Sequence, residues 1–538
     1  MHMRSHLTIF AAALLLWLLP HCAWALASNN IPLDSPVYAY LEKLAGFGLL
    51  DTDLKGLRPY SKAEAARLLL EAEQNLKRDA ADAPPLAYQL LERLHRLLPR
   101  EAALREAPGS APLFDYDLLS AARVRYVYLD GVPRSYDRQV FVRGGQSAFG
   151  FIGGKLRPDS DAAVLAQSGS EGTPLLENNE GVIHRVGSSA ELRWSMEGFV
   201  TEKLSMLVEP SLSAGTDEPG LRLQKGYLKL GGGGVELEAG RDANWFGPGY
   251  RGALTLTNNA DNFDLIKLSS PEPVDVKWVK RYLGEVKYAL IYSRFAATGS
   301  GTTLRHPHFI GAKLAVKPTP WFEIGGNFVR QEGGPGFTRD STLRDTIFGG
   351  GGTNHNNSIA GLDLRLRIPW LRDTELYGEY VGEDSAAFWP FVESYVAGFF
   401  IPRLTASGSD DLRFEFFYGN PMLYTDIKFP AGYVQEGMTP GHSQGGSAIE
   451  FFLRYSHWFE PRHRVALEYF RTDRGHEGRV GSQETERKDA GRLSWNFPVG
   501  AFLDGGIMYG VERIDNFNLA GGARQTNQLV KLDLCYRY

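Results

Sequence analysis

Alternation of apolar and charged residues constrains this chain more than any other feature. The chain ends in LVKLDLCYRY, where Val530, Leu532 and Leu534 alternate with Lys531 and Asp533. A period of two indicates a strand whose two faces meet different surroundings. Comparable runs occur from about residue 111 onward, among them ARVRYVYL, AELRWSME, GLDLRLRI and DLRFEFFY. The region is therefore predicted to be all-β.

Two all-β architectures place an apolar face opposite a charged one. In a soluble sandwich the apolar faces pair inside, whereas in an outer-membrane barrel they meet lipid and the charged faces line the lumen. Roughly 425 residues of strand pattern without a domain break exceed what one sandwich holds. At about 9–11 residues per membrane strand, this length fits roughly 16–20 strands. We therefore expect an all-β transmembrane barrel at 111–538, with outer-membrane lipid around it.

The C-terminal residue Tyr538 completes the alternation of the last strand. A terminal aromatic on such a strand resembles the signal that bacterial outer-membrane barrels present to the barrel insertion machinery. Glycine is abundant, with 60 residues, which suits a large β protein with many turns. Further strands are predicted near 203–209, 235–239, 274–279, 286–292, 322–329, 464–470 and 492–497. The longest loops are expected at 157–187, 331–358, 383–411 and 419–448, the third containing the aromatic run FWPFVESYVAGFF.

The N-terminus has the features of a secretory signal peptide. Residues 1–27 combine a basic start at Arg4, an apolar run and small residues near Ala25 and Ala27, after one of which we expect cleavage. The remaining chain would hold one cysteine, Cys535, and therefore no internal disulfide. A net charge of −5 gives no indication of a nucleic-acid partner.

Between the signal peptide and the strands, residues 28–110 show a helical period. Three helices are predicted, one of them introduced by a capping box formed by Ser61 and Glu64. Each predicted helix has a single apolar stripe, so the group can pack against itself or cover another surface.

The stretch GRDANWFGPGYRG, residues 240–252, has the composition of a site. It lies between two strand patterns and no helix follows it, which excludes a phosphate-binding loop. We expect an ordered bend that folds into the lumen or the rim, with Arg241 paired to Asp242. Elsewhere, His306 and His308 have no third ligand nearby, and no G-x-S-x-G motif is present. No metal, no cofactor and no enzymatic activity are expected.

The ordered features resemble those of the Wzi-type capsule assembly proteins of Gram-negative outer membranes. The segments concerned are IPLDSPVYAYLEKLAGFGLL, LRPYSKAEAARLLLEAE, GRDANWFGPGYRGALTLTNNADNF and GMTPGHSQGGSAIEFFLRY. The resemblance implies an eighteen-stranded barrel with its helices at the periplasmic mouth, acting like a lectin to retain capsular polysaccharide. Candidate glycan-binding or family-motif residues are Arg241, Asp242, Trp245, Asn258, Asn259 and His442, and candidate structural-motif residues are Gly240, Gly247, Pro248, Gly249 and Gly441.

Two hypotheses of function follow. The first is a monomeric, non-catalytic barrel that binds surface or capsular polysaccharide and assists its assembly or attachment. The second is an outer-membrane porin or transport channel, because a charged lumen is common to porin-like barrels. The helical segment also resembles, in a single copy, the S-layer-homology pattern that binds cell-wall polymers; a helical plug packed on the barrel is the other interpretation.

Overall fold

The computed structural model describes residues 26–78, 83–142, 163–299, 304–336, 356–386, 389–426 and 428–537. The predicted signal peptide therefore lies largely outside the described residues. In chain order the strands are β1 (Leu57–Arg58), β2 (Phe114–Asp130), β3 (Arg138–Val142), β4 (Ala163–Gln167), β5 (Gly187–Val200), β6 (Leu204–Ala214), β7 (Gly220–Gly232), β8 (Val235–Asp242), β9 (Trp245–Phe246), β10 (Phe263–Ser269), β11 (Glu285–Arg294), β12 (His308–Thr319), β13 (Phe322–Glu332), β14 (Asn356–Ile368), β15 (Thr374–Ala386), β16 (Trp389–Ile401), β17 (Asp410–Gly419), β18 (Ala448–Glu460), β19 (His463–Arg474), β20 (Glu486–Pro498), β21 (Leu503–Asp515) and β22 (Arg524–Arg537).

Eighteen of these strands, all except β1, β3, β4 and β9, form one closed antiparallel barrel. Closure occurs where the first barrel strand pairs with the last, for example Val124 with Leu534. Because each strand has a neighbour on both sides, no edge is left with unpaired backbone groups. The predicted fold class is confirmed.

The outer surface of the barrel is apolar and the lumen is charged, as the alternation predicts. Leu362 and Leu364 on β14 are about half exposed on the outside, while Asp363 and Arg365, which alternate with them, are buried inside. Exposed aromatic residues lie near both ends of the strands, among them Trp321, Trp370, Phe459, Trp495, Tyr126 and Tyr128. Such aromatic girdles are typical of membrane barrels.

The two ends of the barrel differ in the length of their connections. At one end, called here the short-turn end, two or three residues join β5 to β6, β7 to β8, β12 to β13 and β18 to β19. At the other, the long-loop end, long segments join β2 to β5, β8 to β10 and β17 to β18.

The N-terminal region forms four helices, α1 (Pro36–Gly46), α2 (Lys62–Arg78), α3 (Pro85–Leu97) and α4 (Pro99–Glu106), where three were predicted. Their apolar stripes pack together around residues such as Leu44, Leu69 and Leu90. The cluster lies at the short-turn end, where the buried Lys43 bonds to Asp411 at 3.1 Å and to the carbonyl of Pro402 at 2.6 Å. In the described parts of the chain, no helix is long and apolar enough to cross a membrane.

Two local predictions are wrong. Residues 274–279 do not form a strand, because helix α5 (Lys277–Leu283) occupies this connection and ends at Gly284, which has a φ of 75°. The aromatic run expected in a loop forms strand β16. Its alternation is hidden because both faces carry apolar residues. Val396 packs inside against a filled lumen, while Phe399 stacks outside on Phe414.

Candidate binding site in the barrel lumen

The stretch GRDANWFGPGYRG leaves the barrel wall and turns into the lumen, as predicted. Residues 243–262, called here the crossing segment, connect β8 to β10. Their strand β9 pairs with β1 of the N-terminal region, so that Arg58 lies opposite Trp245. The amide of Gly247 donates to the carbonyl of Gly56 at 2.9 Å. The helical cluster is thus tied to the inside of the barrel.

An ion-pair network fixes the middle of the crossing segment. The buried guanidinium of Arg251 contacts Glu177 at 2.8 Å and Glu450 at 2.9 Å, and it lies 4.1 Å from the ring centroid of Phe470. The carboxylate of Glu415 accepts the backbone amides of residues 250 and 251. These charge-assisted bonds hold the crossing segment against β17, β18 and the connection that contains Glu177.

A second segment folds inward from the long-loop end. It comprises residues 420–426 and 428–447 and is called here the inner loop. The imidazole of His442 stacks on Phe417 with 3.7 Å between ring centroids. Tyr424 donates its hydroxyl proton to the carbonyl of Leu254 at 2.7 Å. Asn259 bonds to the carbonyl of Thr439 at 2.9 Å. The inner loop and the crossing segment therefore form one packed body in the lumen.

Glycine is required at two of the motif positions. Gly247 has a φ of 133°, a conformation that residues with a Cβ rarely adopt, and it stands against Glu379. Gly441 has no room for a side chain, because a Cβ there would collide with the hydroxyl of Tyr424. Gly240 lies within β8, where a Cβ would collide with the carbonyl of Gly226.

The expected pairing of Arg241 with Asp242 is wrong. Neighbouring residues of a strand point to opposite faces, so Arg241 points outward to Asp264 at 2.7 Å. Asp242 points inward and accepts from the amide of Asn30 at 2.6 Å.

The other candidate residues lie inside the lumen. Trp245, Asn258, Asn259 and His442 are all buried. Asn258 donates to the carbonyl of Asn178 at 3.0 Å. Of the six candidate glycan-binding residues, Arg241 alone is partly exposed.

A cavity of about 450 Å³ lies between the crossing segment and helix α1. It is lined by Trp245, Pro248, Gly249 and Asn258 of the motif, together with many charged residues. The exposed residues Asp34 and Asn496 stand at its rim, so the cavity opens at the short-turn end. This space is called here the basic cavity, because eleven lysines and arginines line it against six aspartates and glutamates.

A smaller cleft of about 140 Å³ lies at the long-loop end. It is lined by Asp217, Glu218, Arg222, Asp261 and Glu436, along with serine and threonine hydroxyls. Arg241 borders it, because its guanidinium lies 3.4 Å from Asp261.

Burial and neighbouring charges shift the pKa values of three groups that lie outside the barrel strands. Burial favours the neutral imidazole and lowers the pKa of His442 to about 4, although the carboxylate of Glu450 acts in the opposite direction. Burial also lowers the pKa of Arg58. For Glu42 on α1 burial opposes ionisation, but Arg413 and Lys55 outweigh it and lower the pKa of the carboxyl to about 2.

The histidines of RHPH form no metal centre in the part of the chain that the structure describes, where no group of three potential ligands occurs. His308 lies 2.9 Å from the hydroxyl of Tyr292. Sequence reasoning missed Arg58, Glu177 and Arg464, which line the lumen from separate regions. Arg464 has a local sequence signal, because it precedes the alternating strand VALEYF on its inward-facing register.

The chain matches the family model described as capsule assembly protein Wzi over residues 158–529. It belongs to the Wzi family of capsule assembly proteins. The predicted family is confirmed, and the apolar outer face of the closed barrel agrees with an outer-membrane location.

Comparison with solved structures places the fold beside a member of this family. The chain is similar to Wzi of Escherichia coli, described as an outer-membrane protein involved in group 1 capsule assembly and a carbohydrate-binding β-barrel. The TM-score is 0.67 at 16% identity, covering 95% of this chain and 100% of that one. OccK11 (OpdR) of Pseudomonas aeruginosa gives a TM-score of 0.43 at 12% identity, covering 79% and 94%.

Among curated proteins, the chain is similar to an uncharacterized 55.8 kDa protein in the cps region of Klebsiella pneumoniae. Identity is 26% over 170 residues, which cover 30% of this chain and 33% of the relative. The matched part thus spans about a third of that relative's length.

Proposed function

We propose that this Wzi-family barrel binds surface or capsular polysaccharide and assists its assembly or attachment, without catalysing a reaction. The observation that carries the proposal is that the lumen of this Wzi-family barrel is filled by the crossing segment and the inner loop. Cluster residues such as Phe246, Leu256 and Tyr433 are buried between the crossing segment, the inner loop and the wall. A filled lumen favours binding at the two ends over passage of polymer through the middle.

The long-loop end offers chemistry suited to sugars. In the smaller cleft, carboxylates alternate with hydroxyls and the guanidinium of Arg222, which bonds to Asp261. Such groups accept and donate hydrogen bonds to sugar hydroxyls. Arg241 at the border of the cleft is the candidate residue best placed for such a contact. Trp245, Asn258, Asn259 and His442 would instead support the binding surface from below.

In this proposal the long-loop end faces the outside and the helical cluster lies in the periplasm. The protein works as a monomer inserted by the barrel insertion machinery, and it needs no cofactor. The lumen charges serve to fix the crossing segment, since ion pairs such as Arg251 with Glu177 already occupy them.

Deleting the gene and staining surface polysaccharide tests the proposal. We expect polymer to be released from the cells into the medium, with retention restored by the wild-type gene. Unchanged retention in the deletion strain would refute the proposed function.

The alternative function is a porin or transport channel. The wall of charged residues favours it, whereas the packed crossing segment opposes it. Planar-bilayer recording of the purified protein separates the two functions. We expect little or no steady current, and a stable open conductance would support the channel.

A further inference from the structure

The basic cavity has more positive charge than its own carboxylates neutralise. Each of its six acidic residues already has a basic partner: Asp34 with Arg123, Glu42 with Arg413, Asp53 with Arg365, Asp411 with Lys43, Asp504 with Arg462 and Asp533 with Arg125. Eleven basic residues line the same space. Lys55 and Arg454 pair with Glu375 and Glu468 outside the lining. The positive charge that remains belongs to lining arginines without such a partner, in a partly enclosed site where unneutralised charge is costly.

Three arginines of the cavity, Arg58, Arg464 and Arg537, lack an acidic partner among the described residues. Arg58 donates only to backbone carbonyls, the shorter bond being 2.9 Å to Gly249. The guanidinium of Arg464 forms no hydrogen bond and no ion pair within the described chain, and its centre lies 4.7 Å from the ring centroid of Trp458. Its donors are therefore available to a ligand in the cavity.

Aromatic rings accompany the arginines around the cavity. Arg58 lies over Trp245 at 4.7 Å, while Arg413 and Arg454 lie over Tyr250 at 4.6 Å and 5.0 Å. Guanidinium groups bind carboxylates through two parallel hydrogen bonds. Flat aromatic faces pack against the apolar faces of sugar rings, and the amides of Asn178, Asn258 and Asn496 can bond to hydroxyls.

We infer that the basic cavity binds an acidic sugar, with its carboxylate on Arg464 and its ring among the aromatic residues. The volume of about 450 Å³ falls in the range of roughly 300–1,000 Å³ that small-molecule sites occupy. That the ligand is a sugar rests on the proposed function. That it carries an anionic group follows from the charge of the cavity itself. It places a second sugar site at the short-turn end, away from the cleft at the long-loop end.

Tryptophan fluorescence of the full-length protein in detergent micelles tests the inference, because Trp245 and Trp458 both line the cavity. The probes are sodium glucuronate, glucose and inorganic phosphate at low salt. We expect a saturable change with glucuronate, and binding at least about tenfold weaker for the other two. If glucose binds as tightly as glucuronate does, the site does not require an acidic group. If phosphate binds as tightly as glucuronate does, the site does not recognise a sugar ring. If glucuronate does not bind, the inferred site does not exist.

Variants locate the site. Arg464→Gln is expected to weaken glucuronate binding about tenfold or more, and Arg464→Lys to an intermediate degree because the charge remains but the planar fork is lost. The matched control is Arg185→Gln, in an exposed ion pair with Asp217 at the long-loop end. Unchanged binding by Arg464→Gln would overturn the assignment, provided that its circular dichroism and thermal unfolding match the wild type.

Surface-polysaccharide staining separates this inference from the proposed function. If gene deletion leaves polymer retention intact while the purified protein still binds glucuronate through Arg464, the proposed function fails and the site stands. If deletion releases polymer but glucuronate does not bind, the site fails and the proposed function stands.

Discussion

The guanidinium of Arg58 lies 4.7 Å from the ring centroid of Trp245, and the two residues are register partners in a two-stranded sheet inside the lumen. This pair joins the N-terminal region to the crossing segment. In the chain, five barrel strands, β2 and β5 to β8, lie between these two parts. A motif that has the composition of an active site thus holds the helical cluster and the barrel interior together.

Replacing Trp245 by alanine should loosen the crossing segment while the barrel still assembles, because the barrel strands pair with one another and not with β9. Loss of this buried ring should cost about 3–5 kcal/mol of local stability. Limited proteolysis would reveal the exposed segment, and surface staining would report polymer retention. The control Trp370→Ala removes a ring that is 88% exposed and should change neither result. Failure of Trp245→Ala to form a barrel would show that the motif is needed for assembly itself.

Replacing Arg251 by glutamine should open the lumen. The buried carboxylates of Glu177 and Glu450 would lose this partner, which costs about 3–5 kcal/mol for a buried pair. We expect increased bilayer conductance and faster proteolysis within residues 243–262. Arg185→Gln, in an exposed pair worth at most about 1 kcal/mol, should behave like the wild type. Equal conductance of both variants would contradict a packing role for Arg251.

Acidification should destabilise the inner loop through His442. Its pKa is about 4 in the folded protein against an ordinary value of 6.5, so the unfolded loop binds the proton first. The stabilisation is complete above about pH 6.5 and is lost as the pH falls toward 4, amounting to on the order of 3 kcal/mol.

Proteolysis of residues 428–447 between pH 7 and pH 4 measures this effect as a difference between variants. The wild type should lose more protection than His442→Gln, which cannot titrate. His463→Gln, at the short-turn end, should retain the wild-type pH dependence. An identical pH profile for all three proteins would contradict the role of His442.

Replacing Leu362 by arginine should impair membrane insertion. Leu362 lies in the middle of β14 on the outer face and is 51% exposed, so its side chain meets lipid. An arginine at the bilayer midplane costs about 2–4 kcal/mol. Val186→Arg, just before β5 at the long-loop end and 62% exposed, should be tolerated. Urea unfolding in lipid vesicles compares the two, and equal stability would argue against a lipid-facing Leu362.

Prediction from the sequence succeeded where the information is local. On β22, Val530 and Leu532 alternate with Lys531 and Asp533, and this period of two reports the two environments of a strand directly. It failed at β16, where Val396 faces packed chain inside the barrel and Phe399 faces outward, so both faces are apolar and the alternation disappears.

The sequence by itself determined the barrel class, the helical N-terminal region, the family motifs and the inward course of residues 240–252. Only the tertiary structure decided which residues meet in the lumen. Arg58, Trp245 and Arg464 are far apart in the chain, and barrel closure and inward folding bring them around one cavity. The tertiary structure also gives Arg241 and Asp242 different partners, because a strand directs neighbouring side chains to opposite faces. Periodicity along one strand fixes which face a residue takes, but the partner across the lumen depends on strand register and loop packing.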